Sequence, residues 1–297
     1  MQTIHECLPC FVNQALGSLK HCGATDEQVD GAMRRVFREL AAIDYRSTPP
    51  VTAQKICRIV SGALGVEDPY ADQKRRFNEF AGRLLPGIAR KIAAQQDVFA
   101  AKVKLATAAN IIDFGSNVNL TEEDVLKNFE RMTTVPVNTA AIAALKETVN
   151  AAESVLFLCD NAGEIVFDRF LIEEMPYEKI ACVVRGYPVL NDATMDDAEA
   201  VGLTGMVRVL SNGSGAPGTI LKECSTEFMH LFEAADVVIA KGQGNYETLS
   251  GTTGKRIFYL LQVKCPMVAS EIGLSVGSLA VVDSTGGRYD RQREVAA

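Results

Sequence analysis

No long run of basic residues occurs in this 297-residue chain, and a formal charge of -7 with a pI near 5.2 leaves no electrostatic footprint for nucleic acid. RNA-binding aromatic motifs and zinc-finger spacings are absent too. No stretch approaches the roughly 18 uninterrupted apolar residues of a membrane span, and the N-terminus lacks a basic-then-apolar signal. A soluble, cytoplasmic protein with neither nucleic-acid nor membrane partners is expected. One phosphate-binding signature is missing as well, and a second does not stand where its function needs it. Gly-x-x-x-x-Gly-Lys-Ser/Thr does not occur, which excludes a P-loop nucleotidase. Gly-x-Gly-x-x-Gly does not follow the first predicted strand, which argues against a nicotinamide enzyme. Internal repeats and low-complexity tracts are not found.

Eight cysteines are present, but in a chain of this length they suit a reducing compartment better than a disulfide framework. Cys7 and Cys10 form a C-x-x-C near His5, His21 and Cys22, and no second C-x-x-C completes it as a zinc site. On an amphipathic helix that spacing also places two small apolar groups on one face, and packing is the favoured reading.

The first half, residues 1–150, reads as a helical domain. Thr25 with Gln28 forms a capping box ahead of Val29, Ala32, Met33, Val36, Phe37 and Leu40 at helical spacing. Pro49 and Pro50 open another helix, and a long charged one runs from Ala71 to about Gln95 with a kink expected near Pro86. The second half, residues 151–297, changes period. Short apolar runs at 155–158, 180–184, 207–210, 237–240, 257–263 and 279–282 alternate with helical or Gly-rich segments, which predicts a mostly parallel sheet with right-handed crossovers.

Chemistry gathers at the ends of those runs. Val155 to Leu158 stops in Asp160, Asn161 and Gly163 before a helix that Glu164 opens and Pro176 closes. Ligands of open α/β sheets bind at that edge, and a helix amino terminus favours anions. The second run ends in RGYPVLNDAT, bringing Arg185, Asn191 and Asp192. The third ends in SNGSGAPGT with Gly213, whose exposed N–H groups would cradle an oxyanion, and the fourth in KGQGN with Lys241 and Asn245. Helix capping alone explains an Asp or an Asn, but not acids at two ends and a lysine at a third. Oxygen donors such as Asp160, Asn161 and Asp192 suit a hard cation shared with a phosphate, and Lys241 would meet that phosphate as a point charge. Glu164 is read as orienting water or substrate, or as a first-turn acid on the helix dipole.

At these residues the sequence resembles the metal-dependent damage-control phosphatases, long catalogued as a domain of unknown function. The likeness covers nearly the whole chain: CLPC, DPY followed by Lys74, ANIIDFG (109–115), DNAGE, RGYPVLNDAT, APG and KGQGNYETL. CLPC points to the stand-alone microbial branch. The resemblance implies a helical N-terminal domain packed on a Rossmann-like α/β domain, with a divalent metal (Mn, Mg, Co or Ni) on Asp160, Asn161 and Asp192 and Lys241 at the phosphate. The activity expected is phosphomonoester hydrolysis of small phosphorylated metabolites. Asp160, Asp192, Lys241 and Glu164 would be catalytic; Arg185, Asn191, Gly213, Lys241, Asn245 and Asn110 would bind substrate. A non-catalytic metabolite-binding protein and a Rossmann-type methyltransferase are the alternatives.

Overall fold

A computed structural model describes residues 1–109 and 135–286. Five helices come first: α1 (Cys7–His21), α2 (Asp26–Ala41), α3 (Pro49–Leu64), α4 (Ala71–Ala93) and α5 (Val98–Ala108). The capping box forms as expected, with Gln28 N donating to Thr25 Oγ1 at 3.3 Å and Thr25 N to Gln28 Oε1 at 2.9 Å. α1, α2 and α3 close around a cluster of their own that includes Cys7, Phe11, Leu19, Val36 and Ile56. Phe37, read above as part of the apolar face of α2, is 54% exposed instead. α4 runs unbroken through Pro86.

After the helix Thr139–Ala151 the chain builds one six-stranded sheet: β1 (Val155–Leu158), β2 (Ile180–Val184), β3 (Arg208–Ser211), β4 (Val237–Lys241), β5 (Arg256–Gln262) and β6 (Leu279–Asp283). The order is β3-β2-β1-β4-β5-β6. All neighbours pair in parallel except β6, which runs antiparallel to β5 at the edge. This is the doubly wound, Rossmann-like arrangement, and its strand order reverses between β1 and β4. Both inner strands are buried along their whole length, the reason they appear in the sequence as unbroken apolar runs.

One face of the sheet packs Phe157, Cys182, Ile239, Phe258 and Leu260 against α5, Thr139–Ala151 and the helix Glu164–Ile172. The opposite face packs Leu156, Val238, Tyr259 and Leu261 against Phe228, Phe232, Tyr246 and Ile272. The sheet's core therefore takes in two helices that precede it in the chain. Among the described residues no helix is long and apolar enough to cross a membrane.

Candidate active site

β1 ends in Asp160 and Asn161, and the next helix begins only after Gly163, whose φ of +79° is left-handed and suits a residue without Cβ. The loop after β2 folds back onto this turn. Asn161 and Asp192 form an antiparallel bridge, Ala193 N donates to Asp160 O at 2.7 Å, and Ala162 N donates to Asn191 O at 2.9 Å. Backbone bonds alone thus bring Asp160, Asn161 and Asp192 together at the switch point.

Arg185, at the end of β2, lies between the two acids. Its Nε donates to Asp192 Oδ2 at 2.6 Å, Nη2 to Asp160 Oδ1 at 3.4 Å and Nη1 to Asn245 Oδ1 at 3.3 Å. Asn161 Nδ2 donates to Asp160 Oδ2 at 2.7 Å and to Glu164 Oε2 at 3.0 Å. Asn245 is itself fixed, donating to Lys241 O at 2.7 Å and accepting from Thr219 Oγ1 at 2.8 Å. Gly242 follows Lys241 at φ +77°, and a Cβ there would stand 1.9 Å from Asp160 Oδ2, so only glycine lets the backbone come this close.

Asp160, Glu164 and Asp192 are 8%, 2% and 4% exposed. Burial holds the Asp160 carboxyl well above the usual carboxylate range, with Asp192 and Glu164 pushing the same way and Arg185 opposing. Burial also raises Asp192, against the pull of Arg185.

Two expectations need correction. Lys241 is not a charge on the open rim. Its side chain is wholly buried and its Nζ donates to Glu164 Oε1 at 2.6 Å, to Ala106 O at 2.9 Å and to Asp168 Oδ1. An ammonium has three donors, and all three are taken. The Gly-rich loop is less open as an N–H cradle than expected, because three of its donors are turned inward: Gly213 N to Ser211 Oγ at 3.0 Å, Ser214 N to Asn212 Oδ1 at 2.9 Å and Ala216 N to Ser214 Oγ at 3.2 Å. Asn110 lies outside the described residues.

Sequence reasoning passed over Asp168, which burial pushes up to about 7 although Lys241 pulls it down. The signal was available, since Glu164 and Asp168 are four apart on a helix otherwise almost wholly apolar. Cys7 is buried in the helical cluster and Cys10 is exposed. Among the described residues no three His, Cys, Asp or Glu side chains are arranged to hold a metal. The rim differs from such a set in having an amide, Asn161, as its third member.

The fold and site together define a doubly wound α/β protein with a buried, oxygen-rich polar centre at its switch point. Residues 3–279 match the model of the damage-control phosphatase ARMT1-like domain, and the chain belongs to that family. It is 35% identical over 284 residues to a damage-control phosphatase of Pyrococcus horikoshii, covering 94% of this chain and 97% of that one. A damage-control phosphatase of Archaeoglobus fulgidus is 36% identical over 247 residues, covering 81% and 85%. The crystal structure of the P. horikoshii protein superposes with a TM-score of 0.88 at 34% identity, over 96% of this chain and 99% of that chain.

Proposed function

We propose that this chain hydrolyses phosphomonoesters of small phosphorylated metabolites, with a divalent cation (Mn²⁺, Mg²⁺, Co²⁺ or Ni²⁺) held by Asp160, Asn161 and Asp192. The observation that carries this reading is an excess of buried carboxylate. Asp160 and Asp192 share one guanidinium, Arg185, while Lys241 beneath them is taken up by Glu164 and Asp168, and burial raises both site aspartates, a state that a cation relieves. Oxygen donors of this kind match a hard divalent ion. Such an ion, when bound, polarises a phosphoryl oxygen and acidifies a water.

The protein's own groups do the rest. Asn161 commits its Nδ2 to Asp160 and Glu164, which leaves its carbonyl oxygen as the ligand atom. Arg185 holds both aspartates in place and offers the site a planar, permanently charged donor set suited to phosphoryl oxygens. Lys241 holds Glu164 in place from beneath through its 2.6 Å ion pair, so its charge acts through that carboxylate. Little covalent chemistry is asked of the protein here; positioning and charge supply most of the catalysis. A cavity of about 400 Å³ lined by Gln54, Arg58, Tyr187, Pro188 and Gly215 adjoins the loops after β2 and β3 and has room for the body of a metabolite.

The test is phosphate release from a panel of phosphorylated metabolites with each of the four metals and with EDTA, for wild type and Asp192→Asn. Release should require metal and fall by at least about a hundredfold in the variant, the scale of losing a positioned electrostatic group. Full release in EDTA overturns the metal assignment, whereas Mn²⁺ uptake without release from any ester returns the site to a binding role.

A further inference from the structure

Asn78 stands on α4, in the helical segment, 7% exposed and far in sequence from every residue of the site. Its side chain nevertheless reaches the turn that carries Asp160 and Asn161. Gly163 N donates to Asn78 Oδ1 at 2.6 Å, and Asn78 Nδ2 donates to Asp197 Oδ1 at 2.8 Å. The amide can stand only one way round, because a backbone N–H must meet its oxygen and a carboxylate must meet its nitrogen. Gly163 is the N-cap of the helix Glu164–Ile172, and its own N–H, which has no partner within that helix, finds its acceptor in Asn78.

Asp197 holds the other turn. Its Oδ2 accepts from Thr194 N at 2.8 Å and from Thr194 Oγ1 at 2.9 Å, two residues beyond Asp192. Lys74, also on α4 and 4% exposed, supplies the counter-charge, with Nζ at 3.4 Å from Asp197 Oδ2 and 2.7 Å from Asp68 Oδ2. Each turn bearing a candidate ligand is therefore fastened, two residues past that ligand, to the same buried Asn78–Asp197 pair. A polar network in a low-dielectric interior is rigid when every member is satisfied.

We propose that Asn78 is a positioning residue: with Asp197 it clamps the Asp160–Asn161 turn to the Asp192 loop at the separation that ligation needs, so that helix α4 sets the site's metal affinity from outside it. The inference rests on the metal reading above. Outer-shell partners of ligands typically change metal affinity by about 10–100-fold when replaced.

Asn78→Asp keeps an acceptor for Gly163 N but sets a carboxylate against Asp197. Full-length wild type and variant are compared by Mn²⁺ titration followed by electron paramagnetic resonance, and by amide hydrogen exchange at Gly163 in metal-free protein. Mn²⁺ affinity is expected to fall about 10–100-fold, Gly163 exchange to rise at least tenfold, and turnover at saturating Mn²⁺ to stay within a fewfold of wild type. The double change Asn78→Asp with Asp197→Asn reverses the donor and acceptor, leaves the charge count unchanged, and should recover most of both losses. Should Asn78→Asp melt too low to assay, Asn78→Ser removes the reach without adding charge and takes its place. Wild-type affinity and unchanged Gly163 protection in the single variant overturn the clamp, as does a double variant that recovers neither. If wild type itself takes up no Mn²⁺, the metal reading falls and the exchange measurement alone decides whether Asn78 holds the turn.

Discussion

Replacing Lys241 by methionine keeps an unbranched chain of similar length and removes the ammonium, with a sulfur in place of one methylene. Glu164 and Asp168 would then face one another, 2% and 0% exposed, with no counter-charge, and the Ala106 carbonyl would lose its donor. Breaking a buried ion pair from one side costs about 3–5 kcal/mol, since the remaining charge keeps its desolvation penalty. At about 2–4 °C per kcal/mol for a chain of this order of size, the melting temperature should drop by roughly 6–20 °C. The loss should depend on pH. Asp168 is pushed up to about 7 even with Lys241 pulling it down, so without the ammonium it rises further and a proton increasingly takes the missing charge's place as the pH falls. Urea unfolding of Lys241→Met should therefore show a larger deficit at pH 8 than at pH 5.5. Adding Asp168→Asn removes one of the two stranded carboxylates and should recover about 2 kcal/mol, a coupling that a double-mutant cycle reads directly. A single variant as stable as wild type at pH 8, or a second substitution whose cost simply adds to the first, refutes the view that Lys241 acts as the counter-ion of this pair.

Gly242→Ala should disable the site, because the new Cβ overlaps Asp160 Oδ2 and the φ of +77° is strained for any side chain; Mn²⁺ uptake and phosphate release at wild-type levels in this variant would show that the close approach is dispensable. Asp168 also gives the wild type a pH signature. Its folded value of about 7 lies above an unfolded value of about 3.9, so the folded state binds the extra proton and this group's contribution to stability is full below about pH 4 and lost as pH rises toward 7. Three pKa units amount to about 4 kcal/mol. Glu247, also raised to about 7 by burial, acts in the same sense. Asp168→Asn should flatten the pH dependence of urea stability over that window, and parallel curves for the two proteins would count against the assignment.

The sheet was legible in the sequence because strands covered on both faces are apolar without alternation, and Val155–Leu158 is buried at every position. The rim was legible because such runs end in polar turns at the ligand edge, which brought Asp160, Asn161, Arg185 and Asp192 into view together. What could not be read was direction. A lysine closing an apolar run looks the same whether it points to solvent or inward, and the groups that decide, Asp168 and the Ala106 carbonyl, lie 73 and 135 residues away. Gly213 misled for a related reason: glycine frees the backbone to turn, but whether the N–H groups so exposed face a ligand depends on the Ser and Asn side chains beside them. Asn78 gave no signal at all, being an ordinary polar residue on a charged helix whose partner stands 85 residues on.

The sharing of one core between α5, Thr139–Ala151 and the late strands has a consequence for how the protein is made. Val103 and Leu145 leave the ribosome long before Phe258, Leu260 and Val281, the side chains that cover them. At roughly 5–20 residues per second the intervening stretch takes on the order of ten seconds to synthesise. For that interval the nascent chain carries greasy helix faces with no sheet beneath them, and β1, β2 and β4 can shelter them only in part. Completion waits for β5 and its antiparallel neighbour at the far edge. Translation that stalls before residue 256 would leave a product with its switch-point turns already written and its hydrophobic floor unfinished, a natural target for chaperones and proteases.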